Sequence, residues 1–119
     1  MTRADGKREF RNRVLMDLLA TGPVPEFRWT AHAKNRIREL VAQGFSPRHL
    51  GGISDGSATV GWGGGHGSPV LRYREWAVPL EVTADGEVVA VTALPSSRSA
   101  WETVLSSGLI AEGREEIRI

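Results

Sequence analysis

Residues 30–36 read Thr-Ala-His-Ala-Lys-Asn-Arg, so that an imidazole and a guanidinium stand one helical turn apart. A histidine moves a proton near neutral pH, and an arginine beside it holds a phosphate bidentately or stabilises an oxyanion. That pairing suits cleavage of RNA through attack by its own 2′-hydroxyl, with His32 as general base or acid and Arg36 on the phosphate. The same two residues also fit a plain helix edge, a boundary histidine followed by a solvated arginine.

The element that must position them is a helix opened by Thr30 as N-cap and closed by Gly44. At about 100° per residue, Ala33, Ile37, Leu40, Val41 and Gly44 gather on its buried side. His32, Arg36, Glu39 and Gln43 then form a stripe along one flank of that side, and Lys34 and Arg38 lie on the other. A flank faces the rim of whatever sheet the helix covers, which exposes both groups to a groove. Near the helix N-terminus the dipole disfavours an imidazolium and so favours a base-competent ring.

The sheet is read from the second half of the chain. Leu71 and Tyr73 alternate with Arg72 and Arg74, and Trp76, Val78, Leu80 and Val82 alternate with Glu75, Ala77, Pro79 and Glu81, as in one long or bulged strand. Arg72 and Arg74 would project together and grip successive phosphates, or simply face solvent. A two-residue Asp85-Gly86 turn sets Val82 opposite Val89 and Leu80 opposite Val91. That register puts Glu81 and Thr92 on one polar face, where they could orient a proton acceptor or a ligand. Cross-strand polar pairing is the plainer account.

Ahead of this core, Phe10, Val14, Leu15, Leu18 and Leu19 recur at helical spacing until Gly22 and Pro23 stop them. Ser46 and Pro47 open a short third helix or turn, and a strand is expected around Thr59 to Trp62. Ser99 and Glu102 form a capping box for a late helix with Trp101, Val104 and Leu105 inside, ending at Gly108. The tail from Arg114 adds an edge strand. The order is that of an α+β domain: two N-terminal helices packed on an antiparallel β-sheet of about four strands, with a late C-terminal helix. With no internal repeat, the 119 residues make one domain: an N-terminal helix and linker to residue 28, a core over 29–94, and a C-terminal helix and tail over 95–119.

Composition narrows the chemistry. Without cysteine there is no disulfide and no thiolate metal site, as a reducing cytoplasm permits. No apolar run reaches the roughly 20 residues of a membrane span, and the N-terminus lacks a signal-peptide core, so a cytoplasmic protein is expected. Lys and Arg total 15 against 14 Asp and Glu, so net charge alone does not argue for nucleic acid. Arginine is nevertheless concentrated between residues 3 and 48 and at Arg72 and Arg74, a distribution that can form one basic face. His32, His49 and His66 have no recognised metal-ligand spacing. The glycine-rich run at 61–67 precedes a strand and has no lysine, so it reads as a flexible hairpin or lid and not as a phosphate loop. Of the four tryptophans, Trp76 and Trp101 fall on buried faces, leaving Trp29 and Trp62 as the pair able to stack bases.

The stretch TAHAKNRIRELVAQGFSPRHL, followed by strands ending GEVVAVTAL, resembles the small ribonuclease-toxin domains of the BrnT and RelE group and their relatives among colicin and contact-dependent toxins. Such members show a His-Ala-x-x-Arg helix, a turn with glycine, and a threonine near the end of the last strand. Over roughly residues 29–94, the resemblance implies catalytic roles for His32, Arg36 and Thr92. Arg72, Arg74, Glu81 and Lys34 would contact substrate. It further implies RNA cleavage that needs no metal or organic cofactor, and an antitoxin or immunity protein covering a basic groove. Gln43-Gly44 stands where family members commonly carry Arg-Gly, which removes one candidate for charge stabilisation. The alternative is a noncatalytic module, encoded by a phage or mobile element, that binds a host protein or nucleic acid.

Overall fold

The computed structural model describes residues 3–63, 67–96 and 117–118; the late helix expected from Ser99 to Gly108, with Trp101, and His66 lie outside them. The described chain is α+β, and its sheet is mixed instead of wholly antiparallel. Helix α1 (Arg3–Thr21), strand β1 (Arg28–Trp29) and helix α2 (Ala31–Ala42) come first. A 3-10 helix (Pro47–Leu50) runs directly into a one-turn helix α3 (Gly51–Ser54). The strands that follow are β2 (Thr59–Gly63), β3 (Ser68–Tyr73), β4 (Trp76–Val82), β5 (Val88–Ala90), β6 (Leu94–Pro95) and β7 (Ile117–Arg118). They lie in the order β1-β5-β4-β3-β2-β7, with β6 also on β4. Among the described residues, no helix is long and apolar enough to cross a membrane.

Helix α2 forms for the local reasons its sequence announces. Thr30 is extended and its Oγ1 accepts the Ala33 amide at 3.0 Å, satisfying one of the orphan donors of the first turn. The same hydroxyl donates to the Val91 carbonyl at 3.1 Å, tying the cap to the sheet. At the other end Gly44 takes φ +108°. There the Phe45 amide donates to Leu40 O and the Gly44 amide to Val41 O, each at 3.0 Å, a Schellman stop that a residue with a Cβ adopts only under strain.

Helix α1 departs from its single expected apolar face. Leu15, Met16 and Leu19 enter the core, each worth about 1.5–3 kcal/mol of burial. Phe10, Val14 and Leu18 form a second row that stays outside the core, 70%, 43% and 55% exposed. They border a groove of about 310 Å³ shared with Pro25, Val82 and Val88.

The expected long strand from Val70 to Val82 is a hairpin. Tyr73 pairs with Trp76 and Leu71 with Val78, which leaves Arg74 and Glu75 as the turn. Leu71 and Tyr73 sit at odd positions and Trp76, Val78 and Leu80 at even ones, and that change of parity marks the turn. Arg74 takes φ +52° there, a conformation usually left to glycine or asparagine.

The next hairpin corrects the predicted register. Its loop is Ala84, Asp85 and Gly86, closed by the Thr83 amide on Glu87 O at 2.8 Å and the Gly86 amide on Thr83 O at 2.9 Å, with Gly86 at φ +90°. Three-residue loops of this kind end on a left-handed residue. The added residue shifts the pairing to Leu80 with Ala90, Glu81 with Val89 and Val82 with Val88. A one-residue slip moves every side chain to the other face. Beyond it Ala77 pairs with Leu94, so residues 91–93 bulge by one residue against β4. A further departure is β1, which runs parallel to β5, with Arg28 beside Val89 and Trp29 beside Ala90. Trp76, Leu71, Leu80, Val60, Leu40 and Ile53 complete the core with α1.

Candidate functional site

The residues singled out by sequence spread over separate parts of the fold. His32 is exposed in the first turn of α2, as the helix pattern requires, and Lys34 is exposed nearby. Arg36 Nη1 lies 2.5 Å from Glu39 Oε1, so part of its charge is already spent within the flank stripe. Thr92 is only 6% exposed. The shifted register and the bulge carry both Thr92 and Ala93 inward, so that threonine does not share a polar face with Glu81. Glu81 instead binds Arg8 of α1. Arg72 is half-buried on β3, whereas Arg74 has left the strand and does not share its face. Trp62 is buried beneath the Arg13 guanidinium, whose Cζ stands 3.8 Å from the ring centroid. Of the expected stacking pair, Trp29 alone keeps a partly exposed ring.

A tighter constellation forms where the 3-10 helix meets the β3–β4 turn. Pro47 fixes the first turn of that helix, and His49 two residues later sets its Nδ1 2.5 Å from Glu75 Oε1. The other carboxylate oxygen, Oε2, accepts the Ser46 amide at 2.8 Å. Ser46 is held in turn, since its carbonyl accepts Trp76 Nε1 at 2.8 Å and Trp76 packs edge-on against Phe45. Burial works against ionisation of Glu75, but the Ser46 amide and His49 outweigh it and hold the carboxyl below its usual range. A carboxylate that accepts from Nδ1–H selects the tautomer whose Nε2 lone pair is free to take a proton.

Tyr73 lies against this pair, its ring centroid 6.4 Å from that of His49 at an interplanar angle of 81°. The tyrosine ring lies so close over Gly52 of α3 that a Cβ there would stand 2.2 Å from two ring carbons. Only glycine admits the ring at that position. Arg74 folds back toward the same ring, with Nε donating to the phenol oxygen at 3.2 Å and Cζ 5.4 Å from the ring centroid. That hydrogen bond is the largest cause raising the Arg74 pKa above its ordinary value. Ser96 Oγ donates to the Arg74 carbonyl and the Ser96 amide to Glu75 O, the latter at 2.8 Å, which clamps the turn.

The site thus holds an oriented imidazole, its carboxylate, a phenol and an exposed guanidinium within one turn and one short helix. The chain matches no family model, no curated protein and no solved structure in the comparisons made. A base, a second proton carrier and a fixed cation are the parts needed for general acid–base displacement at an anionic centre. The sequence weighs His49 only as a metal ligand and Glu75 only as a strand residue, because 26 residues separate them and no motif joins them. The one available signal was Arg74-Glu75 at the parity change.

Proposed function

We propose that the chain is a metal-independent, toxin-like RNA-cleaving domain, with His49 and Glu75 in place of His32 and Thr92 as its proton-handling pair. The 2.5 Å contact between His49 and Glu75 carries this reading. Neutral His49 would take the 2′-hydroxyl proton at Nε2 while the 2′-oxygen bonds to phosphorus. The P–O5′ bond then breaks, the leaving oxygen takes a proton from the Tyr73 phenol, and a 2′,3′-cyclic phosphate remains. Arg74 would hold the phosphoryl oxygens as charge builds on them. His32, Arg36 and Lys34 would serve the flanking RNA backbone. The resemblance to BrnT and RelE toxins supports the substrate class, and it brings with it an inhibitor protein as partner.

RNA incubated with the protein in EDTA tests this. Wild type should give discrete products. His49→Ala should lose about 100-fold or more in rate, in the range of general acid–base contributions. A His32→Ala/Arg36→Ala variant should retain most of the rate. Intact RNA with wild type, or equal loss in the two variants, removes the assignment. A noncatalytic protein-binding module is the second reading, favoured by the exposed row Phe10, Val14 and Leu18. It is the outcome if RNA survives and a partner is retained on wild type but not on a Val14→Glu variant.

A further inference from the structure

Between the segment that leads into β1 and the end of α3 lies a cavity of about 390 Å³ lined by Val24, Pro25, Glu26, Phe27, Trp29 and Ser54. It falls within the size range of small-molecule sites. Phe27 and Trp29 are half-buried and meet edge to face, with centroids 5.2 Å apart at 66°, so each ring is fixed by the other. Glu26 is exposed on the wall, and among the described residues it enters no ion pair or hydrogen bond. A slot of mixed lining, with a fixed aromatic surface, a serine hydroxyl and one spare carboxylate, is the composition of a site for a flat, hydrogen-bonding ring. The cavity is also close to the acid–base groups. Ser54 ends the helical stretch that carries His49, and the step of five positions from one to the other spans about 8–10 Å at helical rise.

From these groups we infer that the cavity is a guanine-binding pocket, and the inference rests on RNA as the substrate. A carboxylate only accepts hydrogen bonds. Guanine offers it two donors on one edge, N1–H and the 2-amino group, a match that needs no protonation. Adenine and cytosine set a ring-nitrogen acceptor beside their amino group, and uracil flanks its single N–H with two carbonyls. Each of these turns an acceptor toward a carboxylate oxygen. Ser54 Oγ, held only at 3.4 Å from Gly51 O, is free to rotate and donate to guanine O6. Trp29 supplies the stacking face, which favours any base and so adds affinity without selecting. Selection therefore falls to Glu26.

Calorimetric titration with the four nucleoside 5′-monophosphates at neutral pH tests this. GMP should bind at least about tenfold more tightly than AMP, CMP or UMP, the scale of a charge-assisted hydrogen bond. Glu26→Gln should bring GMP down to the level of the others. Trp29→Ala should weaken all four alike, and Trp29→Phe should restore most of the binding. Equal affinity for the four nucleotides, no detectable GMP binding, or a GMP preference that survives Glu26→Gln overturns the pocket. Selective GMP binding with RNA left intact keeps the pocket and removes the cleavage reading, whereas cleavage without any preference for guanine does the reverse.

Discussion

Glu75 receives the His49 Nδ1 on one carboxylate oxygen and the Ser46 amide on the other, so a single side chain joins the β3–β4 turn to the 3-10 helix. Its carboxyl is held below the usual range in the native state. The unfolded chain therefore binds more protons than the native one as pH falls. The stabilisation is complete above the unfolded carboxylate value of about 4.3 and is lost as pH drops through the lower native value. Urea midpoints of wild type and Glu75→Gln should differ most above about pH 5 and converge as the pH falls through the lowered native value. A gap independent of pH would show that the Glu75 charge contributes nothing.

Asn12 performs a comparable task inside the fold. It is fully buried, its Nδ2 donating to Gly67 O at 2.8 Å and its Oδ1 accepting the Val82 amide at 2.9 Å. The amide thus fills the gap where β3 and β4 separate. Asn12→Leu should destabilise by about 1–3 kcal/mol for each backbone group left unpaired. Chemical denaturation measures this, and a loss within about 0.5 kcal/mol, as for an ordinary surface change, would contradict the bridge.

The two apolar stripes of α1 should respond oppositely to truncation. Leu15→Ala and Leu19→Ala should each cost about 2–5 kcal/mol, as buried leucines do. Phe10→Ala and Leu18→Ala should stay within about 0.5 kcal/mol of wild type. The same denaturation series checks both, and comparable losses at Leu18 and Leu19 would mean that the outer row is covered in solution.

Arg74 and Gly52 allow stability and function to be separated. Arg74→Gly relieves a left-handed conformation that costs a side chain about 1–2 kcal/mol. It should raise the midpoint while abolishing phosphate-dependent activity. Gly52→Ala pushes Tyr73 off its seat and should cost about 1–3 kcal/mol through overpacking, together with loss of cleavage. If Arg74→Gly keeps full activity, the guanidinium has no role at the phosphate.

Much of the helical architecture was legible because its signals act within a turn of their own position. Thr30 caps through its own hydroxyl, Gly44 stops α2 through a missing Cβ, and Pro47 opens the next turn through a fixed φ. The alternation of Trp76, Val78, Leu80 and Val82 likewise declared a strand before any partner was known. The hairpin loop was misjudged because Ala84-Asp85-Gly86-Glu87 suits a loop of two or three residues, and the choice is made by which strand faces can be buried together.

The tertiary structure alone decided which of two apolar rows on α1 meets the sheet and that Thr92 turns inward. It also decided that His49 meets Glu75 while His32 stands apart on α2. The division has a physical cause. Caps and turns are settled by bond rotations and hydrogen bonds among neighbouring residues. Strand register, burial and the meeting of an imidazole with a distant carboxylate depend on contacts that exist only after the chain has closed on itself.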